Sequence, residues 1–147
     1  MGADPYWYFV PYEPDIESAL QKLRRREFEA GRYNPVIKSM RFPLSDPPPS
    51  PGRQHGSIEA AIEDSAEDGT CSILDIRSVG DAPGLCTAGP LPDDELLECF
   101  GTTKPTREEV GASDGFWETV DRGEGLYIIV YKGNEPDEIF FGGYSFD

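Results

Sequence analysis

The chain has 147 residues and a formal net charge of −15 at neutral pH, and its charges are unevenly distributed. Residues 1–56 carry eight Lys and Arg against seven Asp and Glu, a net +1, whereas residues 57–147 carry five against 21, a net −16. Such a chain is a poor ligand for nucleic acid or for anionic membrane surfaces, because both need clustered cations. Its longest apolar runs, residues 6–11 and 126–131, are too short to span a bilayer.

Length and cysteine content indicate one domain with reduced thiols. A chain of this size buries a core without disulfides or a structural metal. Cys71, Cys86 and Cys99 are odd in number and widely spaced, and no Cys or His cluster has zinc-site spacing. Because the N-terminal residues also lack the pattern of a signal peptide, we expect a cytoplasmic protein, and we predict neither a cofactor nor a metal site.

The N-terminal third of the chain predicts one strand, one helix and a long loop. Aromatic residues favour a strand over residues 6–11, and an apolar stripe predicts a helix over residues 15–30 that Gly31 ends. Five prolines and two glycines make residues 43–56 an irregular loop. One strand and one helix cannot bury themselves alone, so we assign residues 1–147 to a single domain.

Apolar spacing continues to define elements through the acidic part of the chain. They are, in chain order, a helix over 58–66, a strand over 71–77, a loop over 80–90, helices over 92–100 and 106–122, and a hairpin of strands over 126–132 and 138–146. Ser57 is predicted to cap the first of these helices, and Thr106 opens a capping box for the last, which Gly111 interrupts. This order predicts an α+β fold, with three to four helices packed on one face of a mainly antiparallel sheet.

Strands with two apolar faces must be covered on both sides. Helices cover one face, and loops or a partner cover the other. Tyr127 and Tyr131 are candidate partner anchors, because a tyrosine ring packs while its hydroxyl stays hydrated. The alternative is an ordinary central strand whose aromatic residues belong to the core. Gly142 and Gly143 indicate a bulge or bend, or a place where a ligand approaches the backbone.

Carboxylates are concentrated at two places. The clustered residues are Glu63, Asp64, Glu67 and Asp68 at the end of one predicted helix, and Asp93, Asp94 and Glu95 in the first turn of the next. The first group fails the EF-hand pattern and is interpreted as a solvated charge run or a partner contact. The second lies where negative charge favours the helix dipole.

No catalytic signature is recognisable in the sequence. Glycine-rich nucleotide motifs and the nucleophile elbow are missing. His55 is the only histidine, and nothing in the sequence positions it for a dyad with Cys71. The cations of residues 22–26 are interpreted as a solvated helix face paired with Glu27 and Glu29. Catalytic residues therefore stay unassigned.

Two functional hypotheses are left open. The first is a small, non-enzymatic, inhibitor-like protein that recognises a basic protein, as immunity-type inhibitors of cationic toxins or nucleases do. Its contacts would be the seven clustered carboxylates with Tyr127 and Tyr131, although acidity also serves solubility. The second is a small-molecule binding protein or enzyme whose pocket opens between the sheet and loop 43–56, where Arg24, Arg25, Arg26 or Arg41 holds an anionic group. The oligomeric state is not predicted.

Overall fold

The fold is built on one mixed sheet. A computed structural model describes residues 3–38 and 40–146; Met1 and Gly2, part of the segment searched for a signal peptide, lie outside the described residues. The strands are β1 (Pro5–Pro11), β2 (Ser78–Val79), β3 (Thr87–Pro90), β4 (Gly125–Lys132) and β5 (Glu135–Tyr144), in the order β1-β5-β4-β3-β2. β5 is antiparallel to β1 and β4, whereas β3 is parallel to β4 and β2. The α+β class is confirmed, but the prediction of a mainly antiparallel sheet is wrong.

Four α-helices accompany the sheet in the described part of the chain. They are α1 (Ile16–Ala30), α2 (Ile58–Ser65), α3 (Asp93–Phe100) and α4 (Arg107–Ala112). The predicted caps are confirmed, because the Ser57 side chain accepts a first-turn N–H and Thr106 forms a capping box with Glu109. Gly31 ends α1 at φ 75°, where a Cβ would lie 2.3 Å from a carbonyl oxygen of the proline-rich loop.

The helix predicted over residues 106–122 consists of two shorter pieces. α4 continues through Gly111 to Ala112, so this glycine does not interrupt it. Ser113 then leaves the helical region, at φ −100° and ψ 145°, and a 3-10 helix follows over Gly115–Thr119. The break lets Phe116, which is 1% exposed, enter the core.

The strand predicted over residues 71–77 is absent. Cys71 has a φ of 51°, and a 3-10 helix spans Ile73–Asp75. The Asp75 carboxylate accepts hydrogen bonds from the Thr70 N–H, the Thr70 hydroxyl and the Cys71 N–H at 2.9, 2.8 and 3.2 Å. Burial raises the pKa of Asp75 despite these bonds. The apolar run is therefore a buried turn closed by a carboxylate.

Two short strands occupy the edge of the sheet, where mostly loop was predicted. β2 begins just after the predicted strand of residues 71–77, and β3 lies inside the predicted loop of residues 80–90. A Cβ at Gly89 would lie 1.9 Å from the carbonyl carbon of Ala82, so the preceding loop packs directly on the β3 backbone. Because this contact is made by backbone atoms, no alternating pattern of apolar residues in the sequence indicates the strand.

Helices cover both faces of the sheet, rather than one as predicted. We call the two sides the α1 face and the α3 face. The buried residues of the α1 face include Tyr6, Tyr8, Leu20, Leu23 and Phe141. Those of the α3 face include Leu96, Val110, Phe116, Leu126 and Phe140. A smaller cluster of Phe28, Tyr33, Ala61 and Leu74 joins α2 to α1.

The paired glycines of β5 make room for aromatic rings. Gly142 and Gly143 pair in regular register with β1 and β4, and the register shift between β4 and β5 lies at Val130 and Tyr131, opposite residues 136–138. A Cβ at Gly142 would lie 2.8 Å from the Trp117 ring, and one at Gly143 would lie 2.7 Å from the Tyr6 hydroxyl. The prediction of a bulge at these glycines is wrong, and internal packing accounts for them.

Candidate functional site

The two acidic clusters lie at opposite ends of their helices. Glu63 and Asp64 are in the last turn of α2 and Glu67 and Asp68 follow it, all four exposed; we call them the α2 cluster. Residues 93–95 form the first turn of α3, and we call them the α3 cluster. Because α2 packs beside α1 and α3 packs on the other face of the sheet, the structure does not bring the clusters together.

Helix electrostatics explains the α3 cluster and leaves the α2 cluster unexplained. Carboxylates stabilise a helix at its N-terminus and oppose the dipole at its C-terminus. In the α3 cluster, an Asp94 oxygen also accepts the Glu95 N–H at 3.0 Å. In the α2 cluster, the side chains of Glu63, Glu67 and Asp68 form no ion pair with any described residue. Helix stability therefore does not account for Glu63, Glu67 and Asp68.

His55 connects the proline-rich loop to α2. Its Nε2 lies 2.9 Å from an Asp64 carboxylate oxygen, and its Nδ1 lies 2.6 Å from the Tyr33 hydroxyl. A carboxylate only accepts, so Nε2 donates to Asp64, and in the neutral ring Nδ1 accepts the Tyr33 proton. Burial raises the pKa of Tyr33. Both ring nitrogens are engaged, so the dyad with Cys71 is not formed.

A buried ion pair attaches the same loop to α1. Glu27, which is 0% exposed, accepts hydrogen bonds from Arg32 Nε and Nη2, both at 2.8 Å, and from Arg26 Nε at 2.9 Å. The bond to Glu27 raises the pKa of Arg32. Arg32 Nη1 donates in turn to the Pro49 carbonyl and the Ser50 hydroxyl at 3.2 and 2.8 Å. Residues 43–56 are thus irregular in backbone but held at defined points.

A cleft with a volume of about 350 Å³ opens between α1 and the N-terminus of α2. Arg24 and Arg25 line it from α1, and Arg53 lines it from the loop that precedes α2. Glu59, in the first turn of α2, is the carboxylate on its wall. We call this cavity the arginine cleft. Its charged lining is three guanidinium groups and one carboxylate, in a chain whose net charge is −15.

Arg24 is a buried cation held by neutral groups. It is 7% exposed, and its Nη1 and Nη2 donate to the Gln21 side-chain oxygen and the Leu74 carbonyl at 3.0 and 3.1 Å. Its Nε has no hydrogen-bond partner among the described residues. Burial, and next the charge of Arg77, lower the pKa of Arg24. A buried guanidinium without a carboxylate partner is unusual, because desolvation of a charge is costly.

Arg53 is the best anchored of the three arginines. Its Nε and Nη2 donate to the carbonyls of His55 and Gly56 at 3.0 and 2.7 Å. Its guanidinium carbon lies 5.1 Å from the centre of the Phe28 ring, and Nη1 lies 3.7 Å from a Glu29 oxygen. Arg25 is exposed and forms no hydrogen bond or ion pair with a described residue.

The sequence located this cleft only in part. A pocket was predicted between the sheet and the loop, whereas the arginine cleft lies beside α1. Arg24 and Arg25 belong to the predicted set, but Arg26 pairs with Glu27 and Arg41 is exposed elsewhere. The interpretation of residues 22–26 as a solvated face is wrong for Arg24. Arg53 was missed, because no sequence pattern indicates that the loop returns to α1.

The predicted tyrosine anchors lie in different surroundings. Tyr127 is half-buried, 6.2 Å from the Phe141 ring centre, and burial raises its pKa. Tyr131 is also half-buried, and Lys104 Nζ lies 5.7 Å from its ring centre. Tyr131 and Arg107 line one surface cavity. The tyrosines of β1 are buried in the core, so that strand offers no tyrosine to a partner. The neighbours of Tyr131 include cations and also the carboxylates of Glu108, Asp137 and Glu138, none of which belongs to the two acidic clusters.

Within residues 3–38 and 40–146, no three His, Cys, Asp or Glu side chains are grouped so that they could hold a metal ion. None of the described helices combines the length and apolar character needed to cross a membrane. Comparisons with models of protein families, with curated proteins and with solved structures find no match to this chain.

Proposed function

We propose that this chain is a non-enzymatic, inhibitor-like protein that binds a basic protein partner through the α2 cluster. The observation that carries the proposal is the position of this cluster at the C-terminal end of a helix. Its carboxylates are exposed, and three of them lack an ion pair within the described chain. Glu63 and Asp64 lie in the last turn of α2, where negative charge opposes the helix dipole. Charges that cost stability and remain unpaired are expected where a partner supplies the opposite charge.

Long-range electrostatics supports the same function. Residues 57–147 carry a net charge of −16, so a basic protein is attracted from a distance and oriented before contact. The α3 cluster contributes to this field, but its position has a sufficient explanation in helix stability. We therefore assign short-range contacts to the α2 cluster and a steering role to the α3 cluster. Tyr127 and Tyr131 remain predicted anchors, but the proposal depends less on them than on the α2 cluster.

Two matched variants separate these roles. The first, Glu63→Gln with Glu67→Gln and Asp68→Asn, neutralises the α2 cluster and keeps Asp64, which holds His55. The second, Asp93→Asn with Asp94→Asn and Glu95→Gln, removes an equal charge from the α3 cluster. Each tagged variant and the wild-type chain are used to capture proteins from a lysate of the native host at low and at moderate salt, with mass spectrometry of the eluate.

The proposal expects one stoichiometric basic protein. The α2 variant should lose it at both salt concentrations, whereas the α3 variant should retain it at low salt and release it earlier as salt rises. Association rates of the purified pair should fall with ionic strength for the wild-type chain. A partner that binds all three chains equally, or that is insensitive to salt, would contradict the proposal.

A further inference from the structure

The arginine cleft carries a charge opposite in sign to the net charge of the chain. We propose that it binds the phosphate group of a small phosphorylated molecule, a function separate from recognition of a basic protein. Three guanidinium groups converge on a cavity of about 350 Å³, against a single carboxylate, in a chain of net charge −15. A volume of this size is at the lower end of the range for small-molecule sites.

Arg24 is a buried cation whose hydrogen bonds go to neutral groups, while the carboxylates of Glu17, Glu59 and Asp75 act on it through their charge alone. The residue is 7% exposed, its Nη atoms are held by neutral oxygens, and its Nε has no partner among the described residues. Such a buried cation is costly unless an anion compensates it. Because Arg24 also lines the cleft, an anion bound there would supply the opposite charge.

The N-terminus of α2 contributes a second attraction for an anion. Ser57 caps the N–H of Ala60, so the helix itself supplies no partner for the N–H groups of Ile58 and Glu59. These groups and the helix dipole favour negative charge at this end, yet the side chains that converge there include three cations. An anion placed between α1 and α2 would satisfy both the arginines and the helix end.

The number and type of donors favour a phosphate group over a single carboxylate. Guanidinium groups bind phosphate oxygens in a fork geometry, and backbone N–H groups at a helix N-terminus are a common complement. A phosphate monoester carries close to two negative charges at neutral pH, which matches the excess of two cations over carboxylates in the lining. Phe28 adds an apolar wall beside the guanidinium group of Arg53.

The ligand is expected to be small rather than a polymer. Glu59 lies on the wall of the cleft, and residues 57–147 carry a net charge of −16, so a nucleic acid or an anionic membrane would be repelled beyond the first phosphate. A compact monoester needs only the cleft itself. This class of ligand also differs from the basic protein proposed for the α2 cluster, so each proposal can fail alone.

Phosphate binding can be tested on the intact protein by NMR. Inorganic phosphate and phenyl phosphate are titrated at constant ionic strength, with sodium chloride as the control for general screening. The signals to follow are the amides of Ile58 and Glu59 and the Nε–H of Arg24. The proposal expects saturable shifts of these signals with both phosphates, tighter binding of phenyl phosphate, and little change with chloride.

Arg25→Gln is the informative variant, because Arg25 is exposed and has no partner whose loss would disturb the fold. It should weaken phosphate binding about tenfold. Arg41→Gln removes the same charge outside the cleft and should bind as the wild-type chain does. Equal binding by both variants, no saturable shift below about 10 mM phosphate, or an equal response to chloride would overturn the proposal.

Discussion

Both faces of the sheet bury aliphatic and aromatic side chains, but among the described residues the buried charged side chains lie on the α1 side. On the α3 face the core cluster consists of aliphatic and aromatic side chains. On the α1 side, four ionisable side chains of the described residues are buried within and around α1 and the 3-10 helix that packs against it. They are Arg24, Glu27, Arg32 and Asp75. Both sides are well covered, so the difference is one of chemistry and not of packing.

This difference indicates that the α1 side has a role in addition to stability. An apolar core contributes stability directly through burial. Buried ionisable groups contribute less, because desolvation offsets much of the attraction between them. On the α1 side these groups hold the proline-rich loop and the walls of the arginine cleft in place. Apolar clusters on both faces thus stabilise the fold, and the α1 side in addition positions buried polar groups.

The largest effect is expected from Glu27→Gln on the α1 side. Glu27 is fully buried and holds Arg32 through two hydrogen bonds of 2.8 Å. Loss of its charge leaves a buried guanidinium without its counter-ion and should lower the free energy of unfolding by about 3 kcal/mol. Urea denaturation measures this loss. Glu29→Gln, whose carboxylate is half exposed and 3.7 Å from Arg53, should change the value by less than about 0.5 kcal/mol. Similar losses in the two variants would contradict the ranking.

Alanine substitutions at two glycines, one in β5 and one in α4, test the packing of the α3 face. In Gly142→Ala, the new methyl group would lie 2.8 Å from the Trp117 ring and 3.0 Å from the Phe140 ring, so the variant should lose about 1–3 kcal/mol. Gly111→Ala, in α4, has open space around the new methyl group and should gain about 0.5–1 kcal/mol. Thermal denaturation should therefore move the two midpoints in opposite directions. Two shifts of the same sign would mean that β5 relaxes around the added methyl group.

Periodicity in the sequence was sufficient for elements that bury one regular stripe. α1, α2 and the hairpin of β4 and β5 lie close to their predicted ranges, because apolar spacing and caps act locally. Residues 71–77 were predicted wrongly, since a run of buried apolar residues has no period that separates a strand from a turn. The deciding contact is the Asp75 carboxylate bound to the backbone of residues 70 and 71.

The candidate sites show the same contrast between features set by local sequence and features set by tertiary contacts. The acidic clusters were evident from composition, but their different positions along their helices became meaningful only once the helix ends were known. The arginine cleft joins α1 to residues 53–59 across a loop of irregular backbone. No local pattern predicts that Arg53 returns to face Arg24 and Arg25. Tertiary proximity of this kind depends on the buried Glu27–Arg32 pair, which fixes the loop.

The two tyrosines of β1 differ in whether their hydroxyl groups form a hydrogen bond on the α1 face. The Tyr8 hydroxyl accepts the Ile73 N–H at 3.3 Å, whereas the buried Tyr6 hydroxyl has no partner among the described residues. Tyr8→Phe should lose about 1 kcal/mol at neutral pH, and Tyr6→Phe should lose nothing or gain slightly. Equal losses would indicate a hydrogen bond to the Tyr6 hydroxyl in solution.

The same variants should differ from the wild-type chain in alkaline solution. Burial raises the pKa of both hydroxyl groups in the folded state, whereas in the unfolded chain they ionise near pH 10, at about the ordinary value. Their contribution to stability is complete below that pH and is lost as pH rises above it, by about 1.4 kcal/mol per pH unit for each tyrosine. Each phenylalanine variant should therefore show a shallower loss of stability above pH 10, measured by urea denaturation. An unchanged slope would mean that these hydroxyl groups reach solvent.

The smallest changes in stability are expected from charge reversals in the two acidic clusters, which lie on opposite sides of the sheet. Glu63→Lys places a cation in the last turn of α2 and should raise the free energy of unfolding by about 0.5 kcal/mol. Asp94→Lys places one in the first turn of α3, removes the bond to the Glu95 N–H and should lower it by about 1 kcal/mol. Both variants change the net charge equally, so relief of general repulsion is the same in each. If both raise stability, that repulsion dominates the dipole, and the α2 cluster would no longer need a partner to explain its position. If the signs differ as expected, the carboxylates of α2 are held against the preference of their own helix.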